Sequence, residues 1–215
     1  MDSYGGAFPH GRALRGLRLP RAQRRAQLMQ AALEAFTSHG YHATGMDDIA
    51  ALAGVSKPVL YQHFPGKREL YLALLDEAVD DIVRTVLAAL GSGTTTQERV
   101  GATVRAYFDL VDRADSGYRL VMESDLRNDP EVQARVLAVE QRIAGAIAPL
   151  LRERMGLPED HARVLASGVV GLAQASAQAW RRDARGLDLQ EASTLVADLV
   201  HQGFAGTARH VLADG

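Results

Sequence analysis

Of the 24 cationic lysine and arginine side chains, only two are lysines, Lys57 and Lys67, and both lie in or beside the stretch MDDIAALAGVSKPVLYQHFP at residues 46–65. An ammonium, a phenol, an amide and an imidazole gathered in so few residues are partners for phosphate oxygens and base edges. Lys57, Pro58, Tyr61 and Gln62 recur at positions that share one face of a helix, while Val55, Leu60 and Phe64 take the other. Turned outward, such a face has no packing purpose and suits the major groove of DNA. Other chemistries find little foothold. The chain has no cysteine, which removes disulfides, thiolate zinc sites, iron–sulfur clusters and cysteine nucleophiles together. It carries no glycine-rich phosphate loop, no G-x-S-x-G elbow and no H-E-x-x-H pair, and its seven histidines lack ligand spacing. His39 and His42 flank Gly40-Tyr41 and are expected in a loop or on the surface. Neither an enzyme nor a cofactor or metal is expected.

These side chains need two short helices crossing steeply. Ile49, Leu52 or Ala53, Val55, Leu60 and Phe64 supply the apolar contacts, and Ala50 is small where the helices approach. Gly54 falls where the turn needs a positive φ. Ser56 stands at the N-cap of the second helix, with Pro58 in its first turn, where a missing N–H costs nothing. The pattern is a helix-turn-helix; a purely structural αα-corner would not account for the outward polar face.

The rest of the chain is also helical by pattern. Pro20 suits a helix start, and Leu28, Ala32, Leu33 and Phe36 form a stripe that stops near Gly40. A short helix follows Thr44-Gly45-Met46-Asp47, with Thr44 as its expected cap and Asp47 at the capping-box spacing. Leu70, Leu74, Leu75, Val79, Ile82, Val83 and Val86 mark one long amphipathic helix ending at Gly91-Ser92-Gly93. Further helical patterns cover 96–113, 116–126, 130–155, 160–184 and 190–212. No stretch alternates with period two and no internal repeat occurs, so the predicted fold is all-α with about nine helices.

The formal charge of -2 hides an asymmetry. Up to Leu75 the chain has nine Lys+Arg against five Asp+Glu, a balance of +4; the remainder has 15 against 21, a balance of -6. A basic first third points to an anionic partner. The expected organisation is a disordered basic arm over 1–19, a DNA-binding domain over 20–66 and a ligand-binding and dimerisation domain over 67–215. Arg12, Arg15, Arg18, Arg21 and Arg24 recur every third residue, as in a solubilising tail or a flexible arm that touches DNA. No apolar run approaches the ~20 residues of a membrane span, and a cytoplasmic protein without a membrane partner is expected.

The motif running from Thr44 through Ile49-Ala50, Ala53-Gly54-Val55-Ser56, Leu60-Tyr61, His63-Phe64 and Lys67 to Leu70 resembles the DNA-binding domain of the TetR family of transcriptional regulators, over residues 21–75. That resemblance implies an all-helical homodimer with a three-helix head joined by a long fourth helix to a ligand-binding body. By position, Thr44 would meet a phosphate, Lys57, Pro58, Tyr61 and His63 would touch DNA, and Lys67 would reach a phosphate from the fourth helix; Ser56 and Gln62 complete the expected DNA-facing set. Gly40-Tyr41-His42-Ala43, Ser56-Lys57-Pro58-Val59-Leu60-Tyr61-Gln62-His63-Phe64, Ser116-Gly117-Tyr118-Arg119-Leu120 and Asp129-Pro130-Glu131-Val132 look further like an actinobacterial subgroup that controls fatty-acid synthesis. The subgroup implies long-chain acyl-CoA as an effector that loosens binding to double-stranded operator DNA.

In the body, Val79, Ile82, Val86, Val104, Phe108, Tyr118, Met122, Val139, Ile143 and Ile147 are candidate linings of an effector pocket, though apolar stripes at helical spacing are also ordinary core. Gln174 and Gln178, one turn apart, are candidates for a buried polar contact, a surface position or a bond across a dimer. The many small residues of 160–184 suggest that this helix and 190–212 pack against their symmetry mates as a four-helix bundle. Two other readings stay open: a repressor of a drug-efflux gene responding to a lipophilic drug, and a helical carrier of lipophilic ligands that does not bind DNA.

Overall fold

Pro20 has no N–H to lose, and helix α1 (Arg21–Ala43) begins directly after it. The computed structural model describes residues 19–113, 117–122, 126, 128–183 and 186–213, with side chains of the last helix described through Phe204. The expected basic arm lies outside the described residues except at Leu19. Gly40, at φ 80°, breaks the helical backbone of α1 where the sequence predicts its end, and one further turn runs on to Ala43. The elements that follow are α2 (Met46–Leu52), α3 (Lys57–His63), α4 (Lys67–Ser92), α5 (Thr96–Asp112), α6 (Gly117–Met122), α7 (Pro130–Met155), α8 (Glu159–Asp183) and α9 (Leu189–Ala213). Among the described residues there is no strand, as expected of an all-α chain. The largest departure is α6, which covers six residues of the predicted 116–126; residues 123–125 lie outside the description.

The termini of the helices follow local chemistry. At α5, the Thr95 hydroxyl accepts from the Glu98 N–H while Glu98 reaches back to the Thr94 and Thr95 N–H groups, a reciprocal cap. At α7, Asp129 accepts from the N–H groups of Glu131 and Val132, with Pro130 in the first turn. Helix α4 is the spine of the molecule. Its buried residues Leu70, Leu75, Ile82, Val83 and Val86 are covered by α1 at the head and by α5, α6 and α7 along the body. At about 1.5–3 kcal/mol for each large side chain removed from water, this core far outweighs the polar contacts on its rim. Gly117 lies so close to Ala78 that a Cβ there would strike it, so α6 seats on α4 only with glycine at that position. Three ion-pair sets stitch α4 to α7: Arg68 with Asp129 and Glu131, Asp76 with Arg135, and Asp80 with Arg142. Each is at least partly exposed and adds little beside the apolar core, but all three tie the same two helices together. On α8, Ala162, Ala166, Ala173 and Ala177 are buried against the body of their own chain. About half of the small-residue stripe therefore serves packing within one chain, since α8 must lie close to α7 and α5. Gly168, Gly171, Ala175 and Ala179 remain exposed.

Candidate nucleic-acid interface and effector cavity

The turn between α2 and α3 has the predicted form. Gly54 adopts φ 65° with open space around it, and the Val55 N–H donates to the Ala50 carbonyl at 3.0 Å. Ala53 rather than Leu52 faces inward; Ile49, Ala50, Leu60 and Phe64 join it in the core, and Val55 packs against its edge. Ser56 is the N-cap of α3 by its backbone, its carbonyl accepting from Val59 and Leu60, while its hydroxyl makes no capping bond. Ser56, Lys57, Pro58, Tyr61 and Gln62 are all exposed, so α3 presents the outward face that the spacing predicts. Lys57 is paired with Asp47 at 2.7 Å, which raises its pKa and steers its ammonium across the start of α2.

His63 is half-buried at the end of α3. Burial lowers its pKa, with Arg21, Arg25 and Arg24 adding to the shift, so its imidazole is neutral near pH 7. Those three arginines are a cationic cluster that the DNA-facing set read from sequence omits. Arg25 also lies over the Phe64 ring, 4.3 Å from its centroid, and Arg24 bonds Gln27, whose amide donates to the Ala53 carbonyl. Arg21 and Arg24 belong to the arginine periodicity of the sequence, whose other members lie outside the described residues, and Arg25 does not; that these three face His63 follows from the placement of α1 beside α3.

Two residues expected at phosphates are turned inward in the DNA-free chain, and the expected cap of α2 needs correction. Thr44 does not cap α2, because its side chain is turned inward with 3% exposure, its hydroxyl donating to the Gly40 carbonyl at 2.7 Å and lying 3.2 Å from that of Ala35. The break at Gly40 leaves carbonyls of α1 without helical partners, and Thr44 satisfies them. Gly45 is the N-cap of α2, and the carboxylate that answers its N–H belongs to Asp48 rather than Asp47. Lys67 also points inward: its ammonium donates to the carbonyls of Tyr41 and Thr44, both at 2.9 Å, and sits 4.3 Å above the Tyr41 ring. It clamps the α1–α2 turn against α4, over the packed rings of Phe36, Tyr41 and Tyr71.

The candidate pocket residues separate into three groups. Val86, Val104, Ile143 and Ile147 line an apolar cavity of about 280 Å³ between α4, α5, α7, α8 and α9. Its rim carries Arg99 and Arg154, and among the described residues no carboxylate lines it. Its walls hold two buried polar atoms without a hydrogen-bond partner, the Tyr107 hydroxyl and His201 Nδ1, neither of which the sequence reading singled out. Met122, Val139, Gln174 and Gln178 line a separate groove between α6, α7 and α8. There Gln174 meets the Met122 sulfur at 3.4 Å and Gln178 donates to the Tyr118 hydroxyl at 3.0 Å, so both glutamines bond within the chain. Val79, Ile82 and Phe108 are core, Phe108 packing on Trp180. Tyr118 is likewise buried and touches a third depression on the α1 side.

Comparison with known proteins joins these two parts. Residues 28–74 match the family described as bacterial regulatory proteins, tetR family, and residues 95–206 match the tetracyclin repressor-like C-terminal domain. The chain is 45% identical over 184 residues to the HTH-type transcriptional activator FasR of Mycolicibacterium smegmatis, covering 86% of this chain and 84% of that one. It is 31% identical over 170 residues, 77% of this chain and 70% of the other, to an uncharacterized HTH-type transcriptional regulator of Mycobacterium tuberculosis. Among solved structures, a TetR-like transcriptional regulator from Rhodococcus sp. RHA1 superposes with a TM-score of 0.68 at 27% identity, covering 88% of this chain and all of that one. The fold is also that of the transcriptional regulator FadR from Bacillus subtilis, solved in complex with stearoyl-CoA, with a TM-score of 0.66 at 20% identity over 81% of this chain and 96% of that one. With a helix-turn-helix head, an exposed recognition face and a helical body matched along most of its length, this chain belongs to the tetR family of bacterial regulatory proteins and is a DNA-binding transcriptional regulator.

Proposed function

We propose that the protein regulates genes of fatty-acid synthesis and that a long-chain acyl-CoA, held in the α4/α5/α7/α8/α9 cavity, is the effector that releases it from operator DNA. The observation that carries this reading is the pairing of an apolar cavity with two guanidinium groups at its rim. Apolar walls suit an acyl chain, each buried methylene contributing about 0.8 kcal/mol, and Arg99 and Arg154 suit the phosphates of the head group. The likeness to FasR and to a FadR that binds stearoyl-CoA supports the same ligand class.

Val86 and Leu90 of α4 and Ile143, Ile147 and Leu151 of α7 form facing parts of the cavity wall. A chain inserted there pushes α4 and α7 apart or re-sets their register, and Arg68 carries the change to the start of α4, beside the recognition helix. The effector acts only through its different affinity for the two arrangements. The working unit is a homodimer, which matches two successive major-groove half-sites ~34 Å apart. Its contact surface is the outer side of α8 and α9, where Val164, Leu195 and Leu199 are 73%, 63% and 59% exposed.

A mobility-shift titration tests this reading. Stearoyl-CoA below its micelle concentration should release an operator fragment from upstream of fatty-acid-synthase genes, and Arg99→Ala with Arg154→Ala should blunt release while leaving DNA affinity intact. An operator complex indifferent to every acyl-CoA but dissolved by a lipophilic drug overturns the reading in favour of efflux control.

A further inference from the structure

The effector cavity has a wall in common with the groove between α6, α7 and α8, and Tyr107 is that wall. It lines both spaces, as does Val170 beside it. The ring is 3% exposed, yet its hydroxyl has no hydrogen-bond partner. The neighbouring Tyr118 ring stands edge-on at 6.0 Å, and the Tyr118 hydroxyl already accepts from Gln178. Burial first, and then the Tyr118 phenol, push the Tyr107 phenol up in pKa, so it stays neutral. A large side chain between two spaces, fixed by packing and by no more than a weak contact with the Tyr118 phenol, is suited to moving aside. Little is lost in hydrogen bonding when it leaves, and its hydroxyl gains a well-formed partner wherever one is offered.

The volumes give this arrangement a consequence. An engineered cavity of ~150 Å³ holds benzene, so by proportion the first space, at about 280 Å³, holds roughly a dozen carbon atoms. A palmitoyl or stearoyl chain entering from the Arg99/Arg154 rim is longer than that. The groove beyond Tyr107, about 390 Å³, has room for the remainder along its apolar side, Val121, Met122, Val136 and Val139, with Gln133 and Glu140 also in its lining.

We infer that Tyr107 is the partition that gauges effector chain length: short acyl chains stop against it, and long ones bind by displacing it into contact with the second space. This rests on the acyl-CoA reading of the cavity. It also supplies a way for chain length to reach the DNA, because only a long chain moves α5 and α6 where they meet α4.

The experiment is a calorimetric titration of the full-length protein with decanoyl-, dodecanoyl-, palmitoyl- and stearoyl-CoA, below micelle formation, for wild type, Tyr107→Leu and Tyr107→Trp. In wild type, affinity should rise about fourfold per methylene up to roughly dodecanoyl, the ~0.8 kcal/mol of burying each one, and rise less steeply beyond. Tyr107→Leu should keep the fourfold step through stearoyl. Tyr107→Trp should weaken stearoyl-CoA at least tenfold and leave decanoyl-CoA within twofold. Melting temperatures confirm that each variant is folded, and Tyr107→Met, which also removes the ring but fills more of the core, serves if Tyr107→Leu is not. Parallel chain-length profiles in all variants overturn the partition and leave the effector reading standing. Failure of wild type to bind any of the four overturns both.

Discussion

The ammonium of Lys67 donates to the carbonyl of Thr44 at 2.9 Å, joining the start of the spine helix to the turn that precedes the helix-turn-helix. With Tyr41 as its second acceptor, Lys67 holds the head in place from behind. Its removal should act on stability before it acts on DNA. Lys67→Met is expected to lower the free energy of unfolding by about 1–3 kcal/mol, since two hydrogen bonds from a charged group are lost. Urea denaturation measures this. The slope of log affinity against log salt should stay as in wild type, whereas loss of a true phosphate contact reduces it by about one.

Lys57 and Tyr61 occupy the exposed face of α3 and should behave in the opposite way. Tyr61→Ala and Lys57→Ala are each expected to weaken operator binding about tenfold, with the circular-dichroism spectrum and sedimentation of wild type. Asp47 holds the Lys57 ammonium in the free protein. Asp47→Asn should therefore raise affinity for non-operator DNA, measurable by fluorescence anisotropy; an unchanged affinity means that the pair opens without cost.

Arg68 and Asp129 connect the start of α4 to the start of α7 at 3.1 Å. Arg68→Ala should preserve operator affinity within a few fold and reduce the effect of stearoyl-CoA on it. Asp129→Asn is the informative partner, because asparagine still caps a helix. A double-mutant cycle on the effector response should show the two changes to be non-additive. Additive changes would mean that coupling travels by another route.

Glu98 closes the reciprocal cap at α5, and the Thr94 hydroxyl with the Thr95 and Thr94 N–H groups holds its carboxyl down to about 2 from an ordinary 4.5. A depressed carboxylate stabilises the fold fully above its unfolded pKa, and that contribution is lost as pH falls through the interval down to about 2. The urea midpoint should fall with acid across this window, and Glu98→Gln should flatten that part of the profile. The same variant should loosen the Arg99 end of the cavity, since α5 begins there.

Much of this protein was legible without tertiary structure. Pro20, Gly40, Gly54 and Pro130 act on their own backbone, so they punctuate the chain wherever it folds, and apolar periodicity assigns an inner and an outer face to each helix between them. That is why α3 displays Lys57, Pro58, Tyr61 and Gln62 as expected. What the sequence left undecided depends on partners remote along the chain. Thr44 and Lys67 carry groups suited to phosphate, but in the DNA-free chain they are held by carbonyls of the last turn of α1 and of the turn after it. Arg21, Arg24 and Arg25 reach His63 only because α1 crosses the head. Ile143 and Ile147 border a cavity while Val79 and Phe108 fill the core, though all four are buried apolar residues at helical spacing. The difference is where five helices leave space between them, and that is decided by how their side chains pack together rather than by the pattern of any one helix.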